Sequence, residues 1–600
     1  MPSKSLLLAS RGLVQNLRIS SAYSVTRLPH TPPLRNGTGA VRALSNAENQ
    51  HLNQQTTSPT SPDAQQGIKK ERVSTATKRL AIAFAVISAV ACGYWLGNNQ
   101  TEQPQDLDLY SHSTLPLDAV QPPKYRLGKA DLQAAWGELV KIVGEENVST
   151  STDDLKSHST SDWSSHPADP SHSSFCVVYP ASTEEVSKIM KVCHKRRIPV
   201  TGYSGGTSLE GHFEPTQGGV CVDFARMDKV LALHKDDMDV VVQPAVGWQD
   251  LNEQLADENL FFPPDPGPGA MIGGMVGTGC SGTNAYRYGT MREWVISLTV
   301  VLADGTVVKT RGRPRKSSAG YDLTRLFIGS EGTLGLVTEA TLKLTTLPQN
   351  TSVAVCSFRD VLDAANCVAS VVDQSVPVAA VEILNEDCMR MINEAGITTR
   401  QWKPAPTLFF KFNGSTGGVR EETSQVKAIA QKAGSLSFDF ADNTDECEEL
   451  WSARHQALWS IVSLKQPDEH VWTTDVAVPV SGLPKAIETA QEKLKQSGLR
   501  GIIVGHVGDG NFHCFILYND KQRKIAEGFV HGMVTRALEA EGTVTGEHGI
   551  GLVKRDFLVT ELGEDTVNAM RKLKWAFDPL CLLNCDKVVR MQNHSAKGNP

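Results

Sequence analysis

The chain has 600 residues, more than a single hydrophobic core usually supports, so two or more domains are expected. Hydrophobic residues make up 40% and charged residues 21%, as in ordinary globular proteins. The net charge of −7 comes without a concentrated basic face, which argues against nucleic-acid binding. The 12 cysteines form no CxxC pair, and Cys581 and Cys585 lie close together without partners at metal-ligand spacing. We therefore expect mostly free, buried thiols and no disulfide scaffold.

The N-terminal segment is basic and rich in Ser and Leu. Its first acidic residue is Glu48, and its basic residues are Lys4, Arg11, Arg18, Arg27, Arg35 and Arg42. This composition predicts a mitochondrial transit peptide over residues 1–47, with a disordered basic tail as the alternative. Residues 48–79 are polar and have no apolar period, which predicts an unstructured linker.

An uncharged apolar segment, Leu80–Gly97, follows the linker. At about 1.5 Å per residue it reaches roughly 27 Å, close to the hydrocarbon thickness of a bilayer. Tyr94 and Trp95 suit the interface, so the segment predicts a transmembrane helix rather than the alternative, a buried core helix. Basic residues precede the segment and acidic residues follow it. The prediction is therefore a protein of the mitochondrial inner membrane whose folded part faces the intermembrane space.

The remaining chain is predicted to be α+β. Residues 98–126 are acidic and contain Pro, as in a tether, and the folded part is expected to start near Leu127. Apolar periodicity and turn residues predict the following elements: helices over Ser182–Arg197, Arg359–Val372, Gly418–Ala433 and Pro484–Gly498, strands over Ile198–Thr201, Leu334–Leu347 and Thr407–Phe412, and a hairpin over Val295–Thr310. Domain boundaries are placed at 127–348, 349–575 and 576–591, with a tail at 592–600.

Three loops are dense in Gly, Ser and Thr: Thr201–His212, Pro264–Gly289 and Gly329–Gly335. Glycine lets the backbone approach a ligand and turn successive N–H groups toward an anion, so a dinucleotide pyrophosphate is predicted, with a purely structural glycine cluster as the alternative. A GxGxxG match is also present at Gly277, Gly279 and Gly282. It follows a poor strand and precedes no helical period, so a Rossmann site is rejected.

Two short motifs near the C-terminus could bind a metal. In GHVGDGNFH, closing the central turn would pair His506 with His513 across two strands. In GEHGIG, Glu547 could complete a two-histidine, one-carboxylate set with open positions, and His548 would be free to act as a base. Zn²⁺ suits these ligands, although Mn²⁺ and Fe²⁺ use them too. The alternatives are that His506 and His513 form a cross-strand pair without a metal, and that His548 is a structural residue of a turn.

The segments from Pro199 to His212, GGMVGTGCSGTNAYRYG and DLTRLFIGSEGTLGLVTEATLKL resemble the FAD-binding domain of the vanillyl-alcohol-oxidase family. The resemblance implies a two-subdomain FAD-binding domain, an α+β, ferredoxin-like substrate-binding cap domain over 349–575, and a C-terminal return to the first domain. It implies FAD held non-covalently, since the covalent attachment has no clear counterpart. The residues implied to bind FAD are Gly202, Ser204, Gly205, Gly206, Thr207, Ser208, Pro264, Gly274, Thr278, Gly279, Ser281, Gly282, Tyr288, Glu331, Gly332, Gly335, Val337 and Asn584.

The HxGDGNxH and EHG motifs resemble those of the FAD- and metal-dependent D-2-hydroxyacid dehydrogenases. This resemblance implies the roles of six residues: His506, His513 and Glu547 bind the metal, His548 is the base, Arg454 holds the substrate carboxylate, and Asn511 contacts the substrate. The Arg454-His455 pair and the stretch Thr473–Val480 look like the D-lactate branch. The 2-hydroxyglutarate branch expects a Lys where Thr473 stands, so a monocarboxylate substrate is favoured.

The implied activity is oxidation of D-lactate, or a similar small D-2-hydroxy acid, to pyruvate, with hydride transfer to FAD and cytochrome c as electron acceptor. The acceptor follows from location and resemblance, and the chain has no haem-attachment CxxCH. Alternatives are oxidation of D-2-hydroxyglutarate or glycolate, a non-catalytic FAD- and metal-binding inner-membrane protein, and the non-redox chemistry of ether-lipid synthesis.

Overall fold

The computed structural model describes residues 111–161, 163–165, 169 and 171–592, which all belong to one unit of the chain, Gln100–Pro600. The predicted transit peptide, linker and transmembrane helix lie outside the described residues and stay predictions, as does nearly all of the predicted tail. In the part of the chain that is described, no helix is long and apolar enough to cross a bilayer.

The first domain contains two larger sheets and one two-stranded sheet. Its strands are β1 (Val148–Ser149), β2 (Cys176–Val178), β3 (Val200–Tyr203), β4 (Val220–Asp223), β5 (Val230–His234), β6 (Asp239–Val242), β7 (Leu260–Phe261), β8 (Val295–Val301), β9 (Val307–Lys309), β10 (Leu336–Lys343) and β11 (Thr345–Thr346). One sheet has the order β1-β2-β4-β3, with β2, β4 and β3 parallel. The other is antiparallel, in the order β5-β6-β10-β8-β9, and β7 pairs with β11.

Helices pack against both sheets of the first domain. They are α1 (Lys129–Val143), α2 (Thr152–Ser157), α3 (Thr183–Arg196), α4 (Trp248–Ala256), α5 (Ile272–Thr278), α6 (Ala285–Tyr288), α7 (Met291–Trp294) and α8 (Leu323–Phe327). The predicted helix at Ser182–Arg197 is confirmed as α3. Its first turn is capped by the Ser182 hydroxyl, which accepts from the amide of Glu185, and its apolar face is buried. The GxGxxG match lies at the end of α5, so the rejection of a Rossmann turn is also correct.

The second domain is built on one eight-stranded antiparallel sheet. Its strands are β12 (Asn350–Ser357), β13 (Ala380–Leu384), β14 (Thr407–Gly414), β15 (Asp439–Ala441), β16 (Glu469–Thr473), β17 (Val476–Ala477), β18 (Arg500–Gly505) and β19 (Asn511–Asn519). The order β15-β12-β14-β13 is that of a ferredoxin-like unit, and β18, β19, β16 and β17 extend it.

Helices cover both faces of this larger sheet. They are α9 (Val361–Asp373), α10 (Glu386–Ala395), α11 (Thr416–Lys432), α12 (Thr444–Ser463), α13 (Leu483–Ser497) and α14 (Arg523–Glu539). One core joins the sheet to α9, α11, α13 and α14, and another joins the opposite face to α10 and α12. The helices predicted at 359–372, 418–433 and 484–498 are therefore confirmed as α9, α11 and α13.

Two more helices, α15 (Leu558–Leu562) and α16 (Glu564–Phe577), follow the second domain. The segment after α16 returns to the first domain. The amide of Val200 in β3 donates to the carbonyl of Leu582 at 2.7 Å. The predicted tether is too long, because Leu115 is 1% exposed and packs with Val567 of α16. Packed residues are thus present before residue 127, where the folded part was predicted to start.

Cys581 and Cys585 form a disulfide, which the sequence analysis did not expect. A tight turn, with a positive φ at Cys581, brings their Cα atoms within 5.5 Å. The other cysteines of the described residues are free and buried, as predicted.

Candidate active site

A cavity of about 870 Å³ lies between the glycine loops of the first domain and the edge of the second sheet. Its size is that of a ligand or cofactor site. One end is lined by the loop after β3, by α5 and by the loop before β10. The other end is lined by α12, β19 and the Glu547-His548 segment. The cavity therefore joins the two regions that the sequence analysis singled out separately.

The glycine end of the cavity is formed largely by backbone. Gly206 has a φ of +65°, a conformation that favours glycine. A Cβ at Gly205 would lie 2.7 Å from the carbonyl oxygen of Gly269, so a larger residue would force the two loops apart. Glycine at these positions permits the close backbone packing that is typical of loops that bind an anion.

Two buried polar atoms at the same end lack partners within the described structure. They are Nδ1 of His212 and Oδ1 of Asn584, and both side chains line the cavity. Asn584 is held by its own amide, which donates to the carbonyls of His212 and Glu331 at 2.9 and 2.8 Å. Buried polar atoms normally have hydrogen-bond partners, so these two fit a ligand with donors and acceptors, as FAD has.

Most residues predicted to bind FAD line this cavity: Gly202, Ser204, Gly205, Gly206, Thr207, Ser208, Gly274, Thr278, Gly282, Glu331, Gly332, Gly335, Val337 and Asn584. Four others do not line it. Gly279 ends α5 in the left-handed conformation, and Pro264 is buried just before the lining segment. Tyr288 packs against Phe261, and Ser281 donates to Glu547 at 2.7 Å.

The three predicted metal ligands converge at the other end of the cavity. The ligand atoms of His506, His513 and Glu547 lie within 4.8 Å of one another. The carboxylate oxygen Oε1 of Glu547 is 3.0 Å from Nε2 of His506 and 3.3 Å from Nε2 of His513. Two imidazoles and one carboxylate facing a cavity are a donor set that fits a divalent cation with open coordination positions.

The outer nitrogens of both histidines are also engaged. Nδ1 of His506 lies 2.8 Å from Glu382, and Nδ1 of His513 lies 3.0 Å from the carbonyl of Thr474. Such outer partners orient a metal-binding imidazole and direct Nε2 at the metal. The arrangement around the two histidines therefore supports a metal site over a cross-strand histidine pair that binds no metal.

The buried ionisable groups of this cluster shift one another's pKa. Burial lowers the pKa of His506, but the carboxylates of Glu382 and Glu547 outweigh burial and hold this pKa well above its ordinary value. Burial raises the pKa of Glu547, but His506 and His513 hold it well below its usual range. Glu547 is thus an anion between two imidazoles.

The predicted pairing of His506 with His513 is wrong in register. In the antiparallel pair of β18 and β19, His513 lies opposite Val504, and a 3-10 turn at Val507–Asp509 follows His506. The strand pairing is therefore shifted by two residues from the prediction, and the turn between the strands by one. Because a slip of two residues keeps side chains on the same face, the imidazole centroids still lie 5.5 Å apart.

His548 lies beside the metal-ligand cluster and lines the cavity. Its ring stacks on that of His513, with centroids 4.9 Å apart. Its Nδ1 is 3.3 Å from Oε1 of Glu210, a fully buried carboxylate from the glycine loop after β3. The segment holding His548 is bound to Asp475, which accepts the amides of Gly546, Glu547 and His548 at 2.9, 3.0 and 2.9 Å.

Arg454 of α12 also lines the cavity, next to His506. Its Nε donates to Oε2 of the buried Glu382 at 2.7 Å, and its Nη2 lies 3.5 Å from Nε2 of His506. The next residue, His455, also lines the cavity. Burial, together with Lys411 and Arg454, lowers the pKa of His455 to about 4, so this ring is neutral near neutral pH. Arg454 thus supplies positive charge to a wall whose adjacent histidine is uncharged.

Asn511 does not reach the cavity. Its amide nitrogen donates to Asp475 at 2.6 Å and to the carbonyl of Val476 at 3.0 Å, and the side chain is 5% exposed. The structure thus places the amide nitrogen of Asn511 on Asp475, and the predicted contact with the substrate stays a prediction.

Three buried acidic residues that were not predicted from the sequence organise the site: Glu210, Glu382 and Asp475. Each lies in an apolar or glycine-rich stretch, and each is at most 1% exposed. An acidic residue within an apolar or glycine-rich stretch is a signal of a functional site. The reason is that a buried carboxylate needs a cation or several hydrogen-bond donors as partners. Thr473 also lines the cavity, and its buried hydroxyl lacks a partner among the described residues.

Two stretches of the chain match known families. Residues 175–311 match the FAD binding domain, and residues 347–588 match the C-terminal domain of FAD linked oxidases. A 4-ethylphenol oxidase from Gulosibacter chungangensis has a similar fold, with a TM-score of 0.64 at 19% identity over 81% of this chain and 100% of that chain. Fold and site thus define an FAD-linked oxidoreductase of vanillyl-alcohol-oxidase type.

Relatives of much higher identity narrow the class. The mitochondrial D-lactate dehydrogenase (cytochrome) of Kluyveromyces lactis is 47% identical over 83% of this chain and 88% of its own. The mitochondrial D-lactate dehydrogenase (cytochrome) 1 of Saccharomyces cerevisiae is 44% identical over 85% and 91%. The chain belongs to this family of FAD-linked, mitochondrial D-lactate dehydrogenases.

Proposed function

We propose that this protein oxidises D-lactate, or a similarly small D-2-hydroxy acid, to the 2-oxo acid. The observation that carries the proposal is the convergence of a metal-ligand set, an arginine and an uncommitted histidine nitrogen at one end of a cavity whose other end suits FAD. The names of the relatives support the same substrate.

Arg454 is proposed to bind the substrate carboxylate. Only its Nε is committed to Glu382 at short distance, which leaves guanidinium N–H groups for a ligand in the cavity. A guanidinium binds a carboxylate through two parallel hydrogen bonds and thereby fixes which face of Cα is presented. Thr473, a neutral residue in the cavity wall, supports a monocarboxylate in preference to a dicarboxylate.

His548 is proposed to take the proton from the substrate hydroxyl. Its Nδ1 faces Glu210, so Nε2 is the ring nitrogen left for the cavity. An imidazole nitrogen can both accept and release a proton, which suits a general base at this position.

FAD, when bound along the glycine loops, supplies an acceptor for two electrons that can pass them on singly. A divalent cation held by His506, His513 and Glu547, with Zn²⁺ the first candidate, supplies Lewis-acid polarisation of a nearby substrate oxygen. Ser281, which donates to Glu547, helps to orient that ligand.

Cytochrome c is the proposed electron acceptor, and the inner membrane, facing the intermembrane space, the proposed location. The relatives from Kluyveromyces lactis and Saccharomyces cerevisiae are named as mitochondrial enzymes of the cytochrome type, which supports a cytochrome acceptor and a mitochondrial location. The basic N-terminal segment and the apolar stretch Leu80–Gly97 support import and a membrane anchor.

Anaerobic mixing of the FAD-loaded protein with hydroxy acids tests the proposal. D-lactate should bleach the flavin absorbance, L-lactate should not, and subsequent addition of oxidised cytochrome c should restore it. Bleaching by D-2-hydroxyglutarate or glycolate but not by D-lactate would move the substrate to the rival acids. Absence of bleaching by any hydroxy acid would favour a non-catalytic protein.

A further inference from the structure

Glu210 is a buried carboxylate that the proposed reaction does not use directly. It lies two residues after Ser208 in the glycine loop and is 0% exposed, and it is not one of the residues that line the cavity. Its Oε1 is 3.3 Å from Nδ1 of His548 and 3.0 Å from Nζ of Lys554. The carboxylate therefore connects the flavin-binding domain with the segment that contains His548, the proposed base.

We propose that Glu210 is a positioning residue that fixes the orientation and tautomer of His548; this inference rests on the proposed function. A carboxylate accepts hydrogen bonds and cannot donate them. In a neutral imidazole facing Glu210, Nδ1 therefore carries the hydrogen, and Nε2 presents its lone pair to the cavity. A carboxylate behind a catalytic histidine plays this part in unrelated enzymes, where it sets the tautomer without taking the proton itself.

Glu210 is itself held in place from two sides. Lys554 is 3.3 Å from Asp475, so one ammonium group joins both carboxylates. The backbone carbonyl of Glu210 accepts the amide of Leu552 at 2.8 Å, and Gly551 packs so tightly on this carbonyl that a Cβ there would overlap it. Because these groups are buried, the side chain of Glu210 has little freedom to leave His548.

Two carboxylates contact different parts of His548. Asp475, from the second domain, accepts the backbone amide of His548 at 2.9 Å, and Glu210, from the first, faces its ring. The stack on His513 prevents the ring from turning out of plane. The surroundings of His548 are thus completed only by residues of both domains, beside the metal-ligand set.

Substitution of Glu210 with Asp and with Gln separates positioning from folding. Glu210→Asp keeps the charge that Lys554 requires but withdraws the carboxylate from His548 by one methylene, and Glu210→Gln keeps the shape but removes the charge. The rate of flavin reduction at saturating D-lactate should fall in both by about 10²-fold, the loss typical of a reacting group displaced by about 1 Å. The KM for D-lactate and the FAD absorbance per chain should stay unchanged, since neither Arg454 nor the cavity wall is altered.

Glu214→Gln is the matched control. Glu214 lies in the same loop, is buried, and pairs with Nδ1 of His172 at 2.6 Å outside the cavity, so its variant should reduce flavin at the wild-type rate. The inference is overturned if Glu210→Asp reduces flavin within twofold of wild type, if Glu214→Gln loses as much rate, or if the loss lies in KM or FAD content alone. Bleaching of the wild-type flavin, measured in the same series, separates these outcomes from failure of the proposed function.

Discussion

The two ends of the cavity are built by different means. At the flavin end, glycine-rich loops such as Gly205–Ser208 bring backbone groups close together, and few charged side chains take part. At the substrate end, buried charges oppose one another: Glu382 lies between Arg454 and His506, and Glu547 lies between two histidines. Because of this difference, we expect substitutions at the flavin end to change the affinity for FAD. Substitutions at the substrate end should instead change the rate of flavin reduction.

The largest effect that sharpens this contrast should come from removing the metal. Dialysis against a chelator should abolish flavin reduction by D-lactate, because the site formed by His506, His513 and Glu547 would lose its cation, while the FAD spectrum should remain. Flavin absorbance and metal content are measured on the same sample, and adding back Zn²⁺ or Mn²⁺ should restore the rate. A full rate in metal-free protein would contradict the assignment.

Replacing the base should be the next largest effect. His548→Ala should lower flavin reduction by roughly 10²–10⁴-fold, the usual contribution of a positioned base, with FAD still bound. Stopped-flow reduction under anaerobic conditions measures the rate. The control is His531→Ala, at an exposed histidine that packs on Phe557 and does not line the cavity. An unchanged rate in His548→Ala would remove this histidine from the role.

A smaller loss is expected from Arg454→Lys. The lysine keeps a positive charge beside Glu382 but cannot make two parallel hydrogen bonds to a carboxylate. Losing one charged hydrogen bond costs about 1.5–3 kcal/mol, so kcat/KM should fall roughly 10- to 150-fold. Steady-state kinetics with D-lactate measure this, and the exposed Arg390→Lys serves as control. A wild-type kcat/KM would show that Arg454 does not hold the substrate.

The smallest effect is expected at the flavin end. In Gly205→Ala the new Cβ would lie 2.7 Å from the carbonyl of Gly269, and the overlap should cost about 1 kcal/mol, roughly a fivefold loss of FAD affinity. Titration of the apoprotein with FAD measures this affinity. Gly137→Ala is the control, since its Cβ would meet nothing within 4 Å. A large loss of rate with normal FAD affinity would break the contrast between the two ends.

The sequence predicts much of this arrangement, because some of its signals are local. The apolar period of α3 with its Ser182 cap and the three glycine loops are local patterns, and the motifs around His506 and Glu547 are local as well. The structure confirms α3, places most of the predicted loop residues on the cavity wall and brings His506, His513 and Glu547 together.

What the sequence could not predict depends on distant contacts. The register of β18 and β19 was placed two residues away, since the glycine-rich turn allows more than one closure. The contact of the Asn511 amide with Asp475, 36 positions away, was not predicted. The pairing of Glu210 with His548 spans 338 positions, and no local pattern encodes it.

Anomalous diffraction from crystals of the FAD-loaded protein tests the central claim most directly. We predict a single strong peak bounded by Nε2 of His506, Nε2 of His513 and the carboxylate of Glu547, with ligand distances of about 2.0–2.2 Å, facing the flavin ring across the cavity. A map without that peak, or with a wall of side chains between it and the flavin, would contradict the account.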